Sequence, residues 1–332
     1  MINFALFGAG RIGTIHGGNL VRNTQAQLAA LHDPMKANAD RLAVELGCEQ
    51  MTPEQIFASD DIHAVLICSA TDTHADLIEA AVAAGKHVFC EKPIDLSLQR
   101  VRQCLERVSQ SDCKTMVGFN RRFDPHFQAL QKQVEAGGVG VVELVSIISK
   151  DPAPPPLDYI KVSGGLFRDM TIHDFDMARF LLTEEVVSVS ARASCLVDAK
   201  IGEAGDVDTA VITMTSANGK LAQISNSRRA SFGYDQRIEV HGSEGMLVAQ
   251  NVTENTVLAY SHAGVSSARP VHFFLERYES SYRAELDSFV RFLMGEAIKI
   301  PTLDDGLQAI LLAEAALLSL QQGRNVELSE LE

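Results

Sequence analysis

The chain has 332 residues, 46% of them hydrophobic and 22% charged, with a formal net charge of −14; it is long enough for two globular domains. Such acidity argues against a nucleic-acid partner, whose phosphates want a basic surface, and against docking on anionic membranes. No apolar run nears the roughly 20 residues that span a bilayer, MINFALFGAG lacks the basic start of a signal peptide, and the six cysteines include no C-x-x-C pair, so a reducing, cytoplasmic setting is expected.

Five strand-like runs come first: INFALFG, AQLAALH, AVLICSA, HVFC and TMVG. They are apolar throughout, as strands buried on both faces are, and they alternate with amphipathic stretches such as HADLIEAAVAAG. That alternation predicts an α/β fold, a doubly wound parallel sheet over residues 1–122. The character then changes, and residues 123–332 form the second predicted domain. A helix over 124–136 leads to the strand VVELVSII, a proline-rich loop DPAPPPLDY, and the stretch GGLFRDMTIHDFD at 164–176. The strand-like runs VVSVSARASCLV, DTAVITMT, KLAQISNSRR, QRIEVHG and TVLAYS follow, with Asn218-Gly219 marking a tight hairpin. Strands joined by turns predict an antiparallel sheet. Two helical segments close the chain, the last ended by Gly323.

The motifs fall at the ends of those strands. Gly8, Gly10 and Gly13, with Arg11 and Ile12 between them, form GAGRIG between the first strand and a helix. In a dinucleotide fold these glycines allow the turn, the approach of pyrophosphate and close helix–strand packing. Asp33 ends the second strand 20 positions past Gly13, where a carboxylate accepts from ribose hydroxyls and repels a 2′-phosphate. NAD is therefore the expected cofactor, although Lys36 could offset part of that repulsion. Ser69, Thr71, Thr73 and His74 leave the third strand and either cap the next helix or touch the cofactor. Glu91-Lys92-Pro93 leaves the fourth strand at the edge where open α/β sheets bind ligands, so Lys92 is either a solvated lysine or a group beside the reacting carbon. Asn120, Arg121 and Arg122 end the fifth strand on that same edge. Asp169 and His173, four residues apart, share a helical face. They are either a surface pair or a base with its orienting acid, as oxidation of an alcohol needs. His173, Asp174 and Asp176 lack the spacing of a recognised zinc site, so no metal is expected, and no G-x-S-x-G elbow points to a hydrolase.

GAGRIG, the EKP tripeptide and the D-x-x-x-H stretch together resemble the Gfo/Idh/MocA oxidoreductase family. The stretches DPAPPPLDYIKVSGGLFRDMTIHDFDMAR and SRRASFGYDQRIEVHGSEG resemble its inositol 2-dehydrogenase branch. The resemblance implies a Rossmann domain followed by an α/β domain with a large, open, mostly antiparallel sheet, used for substrate binding and for assembly, usually into tetramers, with a C-terminal helix packing back on the first domain. It implies a cis bond between Lys92 and Pro93, and NAD-dependent oxidation of myo-inositol to its 2-keto form. In that scheme His173 accepts the proton with help from Asp169, Lys92 binds substrate hydroxyls and assists the relay, and Arg122 and Tyr234 are further hydroxyl contacts. Glu91 and Lys92 also belong to the implied cofactor site. Other inositol isomers, other sugars, NAD-dependent glycoside hydrolysis and a non-catalytic NAD-binding regulator stay open beside it. Arg168 departs from the family pattern, which has an apolar residue before the acid; an arginine there could act on Asp169 or contact substrate.

Overall fold

The computed structural model describes residues 1–331 and divides the chain into two compact units. The first takes Met1–Phe123 and Ser281–Ile310; the second takes Asp124–Ser280 and the described residues from Leu311 on. Residues 281–310 thus belong with the first unit.

The first unit holds six parallel strands in the order β3-β2-β1-β4-β5-β6: β1 (Ile2–Phe7), β2 (Ala26–His32), β3 (Glu49–Gln50), β4 (Ala64–Ile67), β5 (His87–Glu91) and β6 (Thr115–Gly118). The two-residue β3 is the strand that the apolar pattern could not show. Between them run α1 (Arg11–Arg22), α2 (Lys36–Leu46), α3 (Pro53–Ala58), α4 (His74–Ala83) and α5 (Leu98–Val108). The order reverses between β1 and β4, which opens a crevice at the carboxyl ends of those strands. Phe4, Leu6, Leu28, Leu66, Phe89 and Met116 fill the sheet's core. Leu286, Phe289 and Val290 join them from one helical stripe, and Phe289 meets the Phe4 and Phe89 rings edge-on at 6.2 and 5.8 Å.

The second unit begins with α6 (Pro125–Glu135), whose N-cap Asp124 accepts from the amides of His126 and Phe127. Its seven strands run in the order β12-β11-β7-β10-β9-β8-β15, with β7 (Val142–Lys150), β8 (Val186–Ser194), β9 (Thr209–Ser216), β10 (Leu221–Ser227), β11 (Asp235–Gly242), β12 (Gly245–Ala249) and β15 (Val326–Glu327). β13 (Leu258–Ser261) and β14 (Gly264–Ser267) form a separate, exposed hairpin. The helices are α7 (Leu157–Ile160), α8 (Ile172–Leu182), α9 (Ala199–Glu203), α10 (Phe274–Arg277), α11 (Glu279–Leu293) and α12 (Leu303–Gln322); α11 and α12 each carry residues of both units. Gly219, at φ +85°, turns the hairpin between β9 and β10. One pairing departs from the antiparallel expectation: β10 runs parallel to β7. The reason is the connection. β7 is followed by the helical stretch through α8 rather than by a turn, and only such a crossover lets the chain return in the same direction. α8 covers β7 and β10 on one face. Ala210, Ile212 and Met214 of β9 point inward, while Val211, Leu221, Met246 and Val248 remain on the exposed face.

A buried ion pair between Arg277 and Asp124 ties α10 to the start of α6, with side-chain exposures of 2% and 0%, and the guanidinium lies 5.2 Å from the Phe127 ring centre. Removing one partner strands a charge. Arg277→Met should cost about 3–5 kcal/mol in urea unfolding, and adding Asp124→Asn, which keeps a cap, should recover much of it.

Candidate active site

The glycine loop is built on backbone contact. Gly8 sits at φ +99°, and a Cβ there would lie 2.5 Å from the Cys68 carbonyl oxygen; one on Gly13 would lie 1.9 Å from the Gly8 oxygen. Gly10 faces open space and is the N-cap of α1, with no side chain capping the amides behind it. These amides and the helix dipole fit an anionic pyrophosphate. Arg11 is exposed and Ile12 half-buried at the first turn. The Asp33 carboxylate accepts from the Ala9 amide at 2.6 Å and from the Met35 amide at 2.8 Å. The acid at the end of β2 is thus fixed directly beside the glycine loop, as a ribose-binding carboxylate must be. Lys36 turns instead to Asp40, 2.8 Å away.

The loop after β4 departs from the capping expectation. Thr71–Thr73 is a 3₁₀ turn, and no side chain caps α4. The Thr73 hydroxyl bonds to the Ala70 carbonyl and meets the Ser69 hydroxyl at 2.6 Å. His74 turns inward. It is buried, with Nδ1 2.8 Å from the Pro93 carbonyl and Nε2 3.0 Å from the Ser69 carbonyl. The ring joins the Ser69 loop to Pro93. Burial pushes its imidazole below the usual range, and the two carbonyls offset part of that.

Glu91 likewise turns inward. Its carboxylate meets His16 Nε2 at 2.7 Å and accepts the Lys92 amide at 3.3 Å, and Gly118 leaves it room, since a Cβ there would lie 3.0 Å from the carboxyl carbon. Lys92 itself is half-buried after β5, and its bond to Pro93 is cis, as the resemblance implies. Arg121 is buried, and Arg122 pairs with Asp305 at 2.8 Å.

In the second unit the D-x-x-x-H stretch is not one regular helix. Phe167–Thr171 is a π-helical turn running into α8 at Ile172, so Asp169 stands on the wider turn and His173 on the α-helix. Such turns concentrate at functional sites. Gly164 and Gly165, at φ +83° and +81°, bring the chain in, and the Asp206 carboxylate receives the Leu166 amide at 3.0 Å. Two residues that the sequence did not suggest hold Asp169: the Tyr159 hydroxyl donates to Oδ1 at 2.9 Å, and Arg228 donates to Oδ2 at 3.2 Å. Arg228 is 1% exposed and also lies 3.7 Å from Asp151. Arg168, the neighbour in sequence, points to Glu314. Beneath the turn, Asn226 donates to Asp174 at 2.8 Å and receives the Thr171 hydroxyl at 2.6 Å. Tyr234 is buried, its ring edge-on to Tyr278 at 6.0 Å. Lys92 and Arg122 therefore belong to the first unit, and Asp169, His173 and Tyr234 to the second.

Residues 2–119 match the NAD-binding Rossmann fold of an oxidoreductase family, and residues 127–248 match the GFO/IDH/MocA C-terminal domain. The chain is 51% identical to an inositol 2-dehydrogenase of Rhizobium meliloti and 46% identical to a myo-inositol 2-dehydrogenase of Thermotoga maritima, each over 99% of both chains. It also superimposes with a TM-score of 0.91 and 31% identity on a scyllo-inositol dehydrogenase from Lactobacillus casei solved with NAD(H) and scyllo-inositol, over 99% of both chains. The first unit is thus an NAD-binding domain, and the open amides at Gly10 and the fixed Asp33 suit that cofactor. The clash at Gly13 gives the check: Gly13→Ala must push α1 off β1, and NADH affinity, read by fluorescence titration, should fall by about tenfold or more.

Proposed function

The chain belongs to the Gfo/Idh/MocA oxidoreductase family, and we propose that it is an NAD-dependent inositol 2-dehydrogenase, oxidising myo-inositol to its 2-keto form, scyllo-inosose. The observation that carries this reading is the full-length identity of 51% to the Rhizobium meliloti inositol 2-dehydrogenase, beside the presence in this chain of Lys92, Asp169 and His173.

The nicotinamide ring of bound NAD supplies the hydride acceptor. Gly8, Gly10, Arg11, Ile12 and Gly13 hold the pyrophosphate, and Asp33 holds the adenosine ribose and disfavours NADP. Ser69, Thr71, Thr73 and Lys92 line the rest of the cofactor's path. The protein's chemical task is the hydroxyl proton. A secondary alcohol is a very weak acid, and losing a hydride from its carbon becomes feasible only as that proton leaves. The His173 imidazole accepts it. Asp169, anchored by Tyr159 and Arg228, stays in place to orient the imidazole and to favour its charged form. The Lys92 ammonium donates to the substrate hydroxyls and stabilises negative charge on the reacting oxygen. Arg122 and Tyr234 are the further hydroxyl contacts of this reading, with part of the Arg122 guanidinium already committed to Asp305.

A second reading keeps the chemistry and changes the isomer, because the Lactobacillus casei relative is a scyllo-inositol dehydrogenase. Among the described residues no helix is long and apolar enough to cross a membrane, and all six cysteines are free. Both suit the cytoplasmic location we propose. Val211, Leu221, Met246 and Val248 on the open face of the second sheet, 42–54% exposed, support a homotetramer assembled through that face.

NADH absorbance with NAD and a panel of myo-inositol, scyllo-inositol, D-chiro-inositol and glucose tests the proposal: turnover should be strongest with myo-inositol, and free NADH should accumulate, which a glycosidase that retains its cofactor would not produce. His173→Asn should lower kcat by about 10²–10⁴-fold with NADH affinity kept. Lys92→Met should lower kcat/KM by about 10²-fold or more, and turnover within a few-fold of the parent would remove Lys92 from the mechanism.

A further inference from the structure

Three ionisable side chains of the first unit meet at one sealed point. His16 comes from α1, Glu91 from the end of β5 and Glu285 from α11, and one ligand-type atom of each lies within 4.8 Å of the others. Their exposures are 0%, 8% and 0%. The rings of Phe89 and Tyr282 pack against His16 at 4.9 and 5.6 Å. Glu91 is well served, with His16 Nε2 on one oxygen and the Lys92 amide on the other. Glu285 has nothing. Both its oxygens are closed to solvent and lack a hydrogen-bond partner or an ion pair among the described residues, and His16 Nδ1 is equally sealed and unbonded.

We propose that Glu285 is a neutral carboxylic acid that leaves Glu91 as the single charge of this pocket, and that it thereby positions the backbone of Lys92. Two buried carboxylates this close cannot both be ionised without a cation between them. The proton goes to the one without donors, which is Glu285, while the charge stays on Glu91, where a ring N–H and a backbone N–H face it. Burial, and then the Glu91 charge, raise Glu285 well above the usual carboxyl range. The other titratable groups around the pocket are the Tyr282 phenol and the Cys68 and Cys90 thiols, and both thiols are raised by burial first and by Glu91 second, and so neutral as well. With Glu91 charged, the His16–Glu91 contact makes Nε2 the donor. The consequence reaches the active site because α1 opens at the glycine loop and Glu91 is bonded to the residue that carries the candidate lysine. A second negative charge at 285 would drive Glu91 from its two donors. A divalent cation bound by the same three side chains would also balance them; the direct 2.7 Å His16–Glu91 contact favours the proton.

The positioning half rests on the role proposed above for Lys92, whereas the ionisation half does not, so the test reads them separately. Thermal unfolding of the full chain and of Glu285→Gln is followed from about pH 6 to about pH 9, with EDTA and with added Mg²⁺, Mn²⁺ or Zn²⁺. A group whose folded pKa is raised loses stability as pH rises above its unfolded value, so the parent should weaken toward high pH while the Gln variant, which cannot ionise, gains on it steadily. A difference between parent and Gln variant that stays constant or widens in the parent's favour from about pH 6 to about pH 9 would show that Glu285 is not a raised, neutral acid and overturn the proposal. So would a metal-dependent rise in the parent's melting temperature that the Gln variant lacks. For positioning, Glu285→Ala should lower kcat by about tenfold or more, with NADH affinity nearly unchanged, and Glu285→Gln should restore most of it. Equal kcat in the parent and the Ala variant would remove the positioning role and leave the ionisation result standing.

Discussion

Because neither Gly13 nor Gly8 has a side chain, the start of α1 can lie against the end of β1, where a Cβ on Gly13 would sit 1.9 Å from the Gly8 oxygen. Much of the first unit follows from that approach. It turns the open amides of α1 toward the crevice where the strand order reverses, and it leaves the Ala9 amide free for Asp33. One and a half turns further along α1 it presents His16 to Glu91, whose other oxygen holds the Lys92 amide. A cofactor loop and a candidate catalytic lysine, far apart in sequence, are thus set by one backbone contact and one buried hydrogen bond.

The second unit solves a similar problem with a different device. The candidate acid Asp169 is held on both carboxylate oxygens, by the Tyr159 hydroxyl and by the buried Arg228. The π-helical turn at Phe167–Thr171 gives that acid its place. Glycines in left-handed conformations and the Asp206–Leu166 bond maintain the turn, so the local backbone cost is met by interactions nearby rather than by α8 itself.

What could be read in the sequence was whatever leaves a local trace. The parallel strands showed as unbroken apolar runs, GAGRIG as a turn between strand and helix, and Asp169 and His173 as a four-residue spacing. What could not be read depends on distance. Arg228 lies 59 residues from Asp169, and the arginine the sequence offered was Arg168, which points to Glu314 because consecutive residues on a helical turn face different directions. Glu91 and His74, placed at a cofactor edge by their strand ends, turn inward toward His16 and toward the Pro93 and Ser69 carbonyls, and only packing could show that. The parallel pairing of β7 with β10 was hidden for the same reason: strand patterns give faces but not neighbours.

The proposed reaction is the removal of a hydride from C2 of an inositol into a cofactor held by the first unit. Single-turnover NADH absorbance with myo-inositol carrying deuterium at C2, followed by mass analysis of the cofactor, tests that directly. One deuterium is expected in each NADH formed, with a slower absorbance rise than with the protio compound. NADH free of deuterium, or no NADH at all from a protein that still binds NAD, would contradict it.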